Sequence, residues 1–305
     1  MSTASLLVLG LLSALFFSAT FLVNRALALE GGHWFWSAAL RYGYMIALLA
    51  GGLALVKGRD YLAAVLAEFR RHCGFWCLAG SIGFGCFYAL ICFAAVLAPG
   101  WVVATSWQLT IIASLLVLRA FGQPLSAGIW LCTLVVVAGV TLVNLAQLGP
   151  SASGWWALLP VLLAAFCYPL GNQLVWARKR RLAEPGVLDN AFAKVLLLSL
   201  GSLPFWLLLF AALDTGRPSA GQLGQVALVA LLSGVVATTL FLYARGRADS
   251  PARLAVVDAT QSGEVLFALG GEVLLLGAAL PGQAAVAGIG LTLVGLLALA
   301  WLSRG

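Results

Sequence analysis

Asp258, Gln261, Glu264 and Glu272 stand within one long apolar stretch near the C-terminus. Ionisable groups in hydrocarbon are costly, and by default they mark ion or substrate pathways. On a helix turning about 100° per residue, all four fall within roughly a third of the circumference and form a polar stripe. Such a stripe can bind a cationic or zwitterionic solute or carry a proton. It can equally be a set of structural pairs with Arg41, Lys194, Arg119 or backbone groups. Glu264 is the deepest, with no evident cation nearby, and a low-dielectric surround favours its neutral, protonated form. Asp258 and Glu272 lie nearer the membrane faces, where structural pairing is the better reading.

A second stretch offers an opposite wall. Trp101, Thr105, Gln108 and Arg119 share one helix face, while Trp107 points elsewhere. Indole and amide groups suit aromatic or amphipathic solutes through stacking and cation–π contact. Trp107 and Gln108, near mid-depth, are read as pocket residues, and Trp101, close to the outer interface, as an aromatic-belt anchor. Tyr88, Tyr168 and Asn172 are further substrate-binding candidates; Tyr243, near a span end, is a weaker one. Asn24 and Arg25 suit either a gate or a hydrogen bond that ties helices together.

The elements that must position these residues follow from composition. The chain has 305 residues, 63% hydrophobic and 9% charged, against about 45–50% and about 25% in soluble domains. With a mean hydropathy of +1.05, a water-soluble fold is excluded. At about 20 residues per crossing, ten helical spans fit, near 5–29, 34–56, 74–98, 101–118, 126–148, 155–177, 190–213, 222–244, 252–277 and 284–302. Pro99-Gly100, Gln123-Pro124, Gly149-Pro150 and Ser250-Pro251 punctuate them, with Asp189 as an expected N-cap. No β-barrel alternation is present. Met1–Leu29 lacks a basic leading region and reads as the first span rather than a cleaved signal. Glycines such as Gly80, Gly83, Gly85, Gly288, Gly290 and Gly295 permit close helix packing.

The 17 Lys and Arg residues then sort by side. With the N-terminus inside, Lys57, Arg59, Arg70, Arg71, Arg119, Arg178–Arg181, Arg245, Arg247, Arg253 and Arg304 are cytoplasmic. Arg25, Arg41 and Lys194 lie at span ends and only Arg217 falls in an outside loop, which predicts that both termini are cytoplasmic. The basic run Arg178–Arg181 is read as a topology anchor beside anionic lipid, not as a nucleic-acid surface. Cys73, Cys77, Cys86, Cys92, Cys132 and Cys167 read as small buried hydrophobes, with no metal site or cofactor expected.

An internal repeat is visible. A shift of 148 sets Asn24 on Asn172, and a shift of 153 sets Arg41 on Lys194. The same 153 carries Val103, Thr105 and Gln108 onto Val256, Asp258 and Gln261, and a shift of 152 carries Pro99 onto Pro251. Two halves, 1–150 and 151–305, each with an odd number of spans, would lie upside down relative to one another. That arrangement places a site near the midplane where the halves meet. Arg41 and Lys194, recurring in both halves, are read as scaffold.

The stretches Ser18–Ala26 and Trp36–Arg41, then Gly83–Ala89 and Pro99–Gln108, resemble the multidrug resistance efflux transporter branch of the drug/metabolite transporter superfamily. The resemblance implies ten helices in two inverted five-helix repeats and export of small organic solutes. It also implies a pocket lined by the first, third and fourth spans of each half. YddG-type amino acid exporters resemble the chain in architecture only. The small four-span antiporters of the superfamily carry an essential glutamate in their first span, and this chain has no acid between Met1 and Leu29.

The expectation is therefore an all-α, multi-pass protein of the bacterial-type inner membrane, monomeric or weakly dimeric, that exports amphipathic or aromatic solutes by alternating access. An amino acid exporter and a passive facilitator or channel remain open at this stage. An enzyme is disfavoured: His33 and His72 lie in loops on opposite sides, and no hydrolase, zinc-protease or Walker motif occurs.

Overall fold

The computed structural model describes residues 2–120, 127–148, 152–182, 186–248 and 251–302, and these are all-helical apart from short connections. The predicted breaks at Gln123-Pro124 and Gly149-Pro150, together with Ser250 and Arg304, lie outside the described residues. The helices are α1 (Thr3–Leu29), α2 (Trp34–Lys57), α3 (Arg59–Arg71), α4 (Cys73–Gly80), α5 (Phe87–Leu97), α6 (Gly100–Trp107), α7 (Leu109–Ala120) and α8 (Ala127–Leu148). They continue as α9 (Ala152–Arg180), α10 (Ala191–Ala212), α11 (Ala220–Val229), α12 (Thr238–Arg247), α13 (Pro251–Ala259), α14 (Gly263–Leu275) and α15 (Gln283–Leu302).

Among the described residues, nine stretches are helical, long and apolar enough to cross a membrane. Each matches a predicted span to within a few residues. The remaining predicted span, 252–277, is helical from Pro251 to Leu275 but is interrupted by a 3₁₀ turn at Thr260–Ser262. The polar stripe expected there is therefore not continuous. Asp258 precedes the interruption, Gln261 lies in it, and Glu264 and Glu272 follow it.

Three local features depart from expectation. The segment after α2 is not a loop but the amphipathic helix α3. Val65 is fully buried, Leu62 and Phe69 pack on the core, and Arg59, Asp60, Arg70 and Arg71 are exposed, while Glu68 turns inward to Arg178. The i, i+3, i+7 spacing of these three is the signature of such a helix. The N-cap of α10 is Asn190, not Asp189: its Oδ1 accepts the N–H groups of Phe192 and Ala193 at 2.9 and 3.2 Å. Trp101 is only 2% exposed and so packs inside the bundle, which corrects the aromatic-belt reading.

Helix interruptions recur at corresponding places. π-Helical turns join α4 to α5 over Ser81–Cys86 and α11 to α12 over Ala230–Ala237. A break at Gln108 separates α6 from α7, as Thr260–Ser262 separates α13 from α14. Packing partners recur in the same sense. α1 packs on the Ala230–Ala237 turn, α12 and α14, while α9 packs on the Ser81–Cys86 turn, α5 and α7. α2 meets α11 as α10 meets α4, and α8 lies along α15.

With lipid outside, apolar burial gives little drive to associate, so close van der Waals packing must hold the helices. α4 and α10 approach so tightly that a Cβ on Gly201 would strike the carbonyl of Trp76, and one on Gly80 the carbonyl of Leu198. Gly83 and Gly171 face each other in the same way where α9 crosses the Ser81–Cys86 turn.

Candidate functional site

α9 carries Pro169 in mid-helix. A proline there cannot donate to the carbonyl of residue 165 and bends the helix. Thr110 Oγ1 on α7 donates to the freed Ala165 carbonyl at 3.3 Å, which fixes α7 against the bend. Tyr168 precedes the proline. Its ring lies 5.0 Å from Phe87 and 5.8 Å, edge-on, from Trp107, and Phe87 and Trp107 are themselves 5.0 Å apart. These three rings form one aromatic platform contributed by α5, α6 and α9.

Tyr168 is nevertheless 38% exposed. It lies within electrostatic reach of Glu264 on α14, Arg41 on α2 and Arg245 on α12. Those residues belong to three other helices, so Tyr168 stands where α9 comes near α2, α12 and α14. Asn172, one turn further along α9, is exposed as well and donates to the Tyr168 carbonyl at 2.9 Å. Glu264 is 8% exposed and makes no hydrogen bond or ion pair among the described residues.

A polar cluster adjoins the platform. Arg41 donates through Nη1 to Thr20 Oγ1 at 2.9 Å and through Nη2 to Ser233 Oγ at 3.1 Å. The two hydroxyls are 2.7 Å apart. Its guanidinium carbon lies 4.2 Å from the Tyr88 ring centroid. The Tyr88 hydroxyl accepts from Asn24 Nδ2 at 3.1 Å. Tyr88 is only 1% exposed, so it supports Arg41 from beneath rather than lining open space. Tyr42 completes the support, edge-on to Tyr88 and stacked on Trp206.

The other predicted residues serve helix contacts. Gln108 is buried at the α6–α7 break and donates to the Ala104 carbonyl at 3.2 Å. Gln261 donates to Ser13 Oγ at 3.0 Å, joining the 3₁₀ turn to α1. Asp258 pairs with Arg245, not with Arg41, Lys194 or Arg119, so its partner comes from α12 rather than from the cations the sequence suggested. Glu272 accepts the Gly100 N–H at 2.6 Å and caps α6. Arg25 donates to the Ala95 and Val96 carbonyls at 3.0 and 3.3 Å.

Lys194 lies at the start of α10, within electrostatic reach of Lys179 and Asp189. It thus has surroundings unlike those of Arg41. Thr20, Ser233, Tyr42 and Phe87 were not singled out from sequence. The hydroxyls matter only because a π turn brings Ser233 toward α1, a geometry that leaves no periodic signature.

The two ends of the bundle differ. At the end away from the basic residues, Glu272 joins α14 to α6 and Arg25 joins α1 to α5. There too, Gln222 Nε2 donates to the His33 carbonyl and Ser37 Oγ at 2.9 and 3.0 Å. At the basic end, the ion pairs among the described residues join neighbouring elements. Arg245–Asp258 joins α12 to α13, Arg178–Glu68 joins α9 to α3, and Lys179–Asp189 ties α9 to the turn before α10.

Comparison with known proteins places this architecture. A crystal structure titled only as that of a protein superposes with a TM-score of 0.62, covering 99% of each chain at 17% identity, which speaks for the fold alone. The Bacillus subtilis uncharacterized protein YjlA is 39% identical over 310 residues, covering 95% of this chain and 93% of its own. An uncharacterized 42.1 kDa protein of Shouchella clausii is 38% identical over 273 residues, covering 85% of this chain and 69% of its own. Residues 4–305 match the family described as "EmrE: Putative multidrug resistance efflux transporter". The chain is a multi-pass membrane protein and belongs to that efflux transporter family, within the drug/metabolite transporter superfamily.

Proposed function

We propose that the protein is a secondary transporter that exports small amphipathic or aromatic solutes from the cytoplasm by alternating access. The observation that carries this reading is the Phe87–Trp107–Tyr168 platform within electrostatic reach of Glu264, which has no partner among the described residues; we read the two as walls of an interior cleft. A stack of rings binds flat apolar solutes, and a carboxyl without a fixed partner is free to meet a cation or a proton. The recurring π turns, breaks and helix pairings support two inverted five-span halves, 1–150 and 151–305, that rock about the cleft. In this reading 251–275 is the tenth span. The basic end is cytoplasmic by the positive-inside rule, which gives cytoplasmic termini, an inner-membrane location and a cleft closed toward the outside.

Reconstitution tests the reading. Liposomes containing the purified protein should accumulate a labelled aromatic or amphipathic solute against an excess of its unlabelled form, with saturation. Failure to move any amphipathic cation, aromatic compound or amino acid overturns it, and uptake without counterflow replaces the carrier with a passive facilitator.

A further inference from the structure

We propose that Arg41 is a carboxylate-binding subsite, so that the transported solutes include aromatic monocarboxylates or zwitterions rather than cations alone. The inference deepens the transport reading and rests on it. A guanidinium at this depth is always charged and needs a counter-charge or a full set of acceptors. Arg41 has neither. Among the described residues it makes no ion pair, and its polar neighbours are neutral: the accepting hydroxyls of Thr20 and Ser233, and Tyr88. Its Nε is buried without any acceptor. A cation held in lipid by two hydroxyls and one aromatic face is undercompensated, and an anionic ligand supplies what is missing.

The surroundings fit such a ligand. Thr20, Ser233 and Tyr88 hold the guanidinium plane in place from three different helices, and each Nη keeps one further N–H for a carboxylate oxygen. Arg41 stays partly exposed and within electrostatic reach of Tyr168, so the subsite adjoins the aromatic platform. A solute with a carboxylate on Arg41 can lay an aromatic body on Trp107 and Tyr168, and an ammonium group, where present, can turn toward Glu264.

The test compares matched probes on purified full-length protein: 3-phenylpropionate and L-phenylalanine against the corresponding amides, read by ligand-induced thermal shift. At least one acid is expected to bind about tenfold or more tightly than its amide, the range of a charge-assisted hydrogen bond. In Arg41→Gln the ratio should fall to about one, and in Arg41→Lys to an intermediate value. An affinity ratio is independent of the folded fraction. If neither variant folds, protection of Arg41 from phenylglyoxal by the acid but not the amide gives the same answer in the wild type. Equal binding of acid and amide, no binding by either acid, or unchanged discrimination in Arg41→Gln overturns the proposal. Ethidium flux into liposomes made from the same preparation separates the two readings. Ethidium flux without acid discrimination leaves the transporter and removes the Arg41 subsite.

Discussion

The Glu272 carboxylate, near the C-terminal end of α14, accepts the Gly100 N–H at the start of α6 at 2.6 Å. Pro99, the N-cap residue of α6, makes no side-chain capping bond of its own. The carboxylate therefore comes from another helix, and it meets the positive end of the α6 dipole. This contact joins the two helices at the end of the bundle away from the basic residues, so in the proposed alternating-access cycle a state open at that end must break it.

Removing the cap should loosen that end. Glu272→Ala is expected to cost about 1–2 kcal/mol, the range for losing a helix N-cap with favourable dipole interaction. Glu272→Gln, which keeps an acceptor but not the charge, should cost less. Thermal unfolding of the detergent-purified variants gives the order wild type, Gln, Ala. A Glu272→Ala midpoint equal to wild type would remove the cap from the account.

The α4–α10 crossing has no spare volume. Gly201→Val would drive two methyl groups into the Trp76 carbonyl and force the helices apart. Overpacking of this kind costs roughly 1–3 kcal/mol, so the thermal midpoint should drop by roughly 5 °C. Gly43→Ala, where added atoms meet open space, is the control and should leave the midpoint near wild type.

The sequence made the spans legible because runs of about 20 apolar residues have one solution in lipid, and their ends matched the observed helices closely. Trp107, Tyr168 and Glu264 were legible for the same reason, since polar and aromatic groups stand out against such runs. Tyr88 was flagged but lies beneath Arg41, because periodicity gives a residue's face without saying which neighbour covers it. Thr20 and Ser233 were invisible. Hydroxyl residues are common in membrane helices, and only the π turn at Ala230–Ala237 makes this pair converge on Arg41. The capping role of Glu272 likewise depends on which helix end lies beside it, and that is a tertiary fact.

Trp107 links Phe87 to Tyr168 at the platform. Trp107→Ala removes one of the three mutually contacting rings, and aromatic contacts contribute about 0.5–1.5 kcal/mol beyond area burial. Affinity for an aromatic solute should fall roughly tenfold, and Trp107→Phe should retain most of it. Thermal-shift titration of both variants with the same solute provides the comparison. An unchanged Trp107→Ala affinity places the binding site elsewhere.

In the proposed transport cycle, Glu264 is the carboxyl that couples solute movement to an ion gradient. It is buried and, among the described residues, bonded to nothing, so it is not committed to holding helices together. A carboxyl that takes up a proton on one side of the membrane and releases it on the other couples proton movement to that of the solute. Glu264→Gln preserves size and a hydrogen-bonding oxygen but cannot ionise. Uphill transport driven by an imposed pH gradient should fall at least about tenfold, a change of about 1.4 kcal/mol or more. Counterflow between labelled and unlabelled solute at equal pH should persist, since exchange requires no net proton movement. Retention of pH-driven accumulation by the Gln variant would strike Glu264 from the mechanism, and loss of counterflow as well would assign it to substrate binding rather than to coupling.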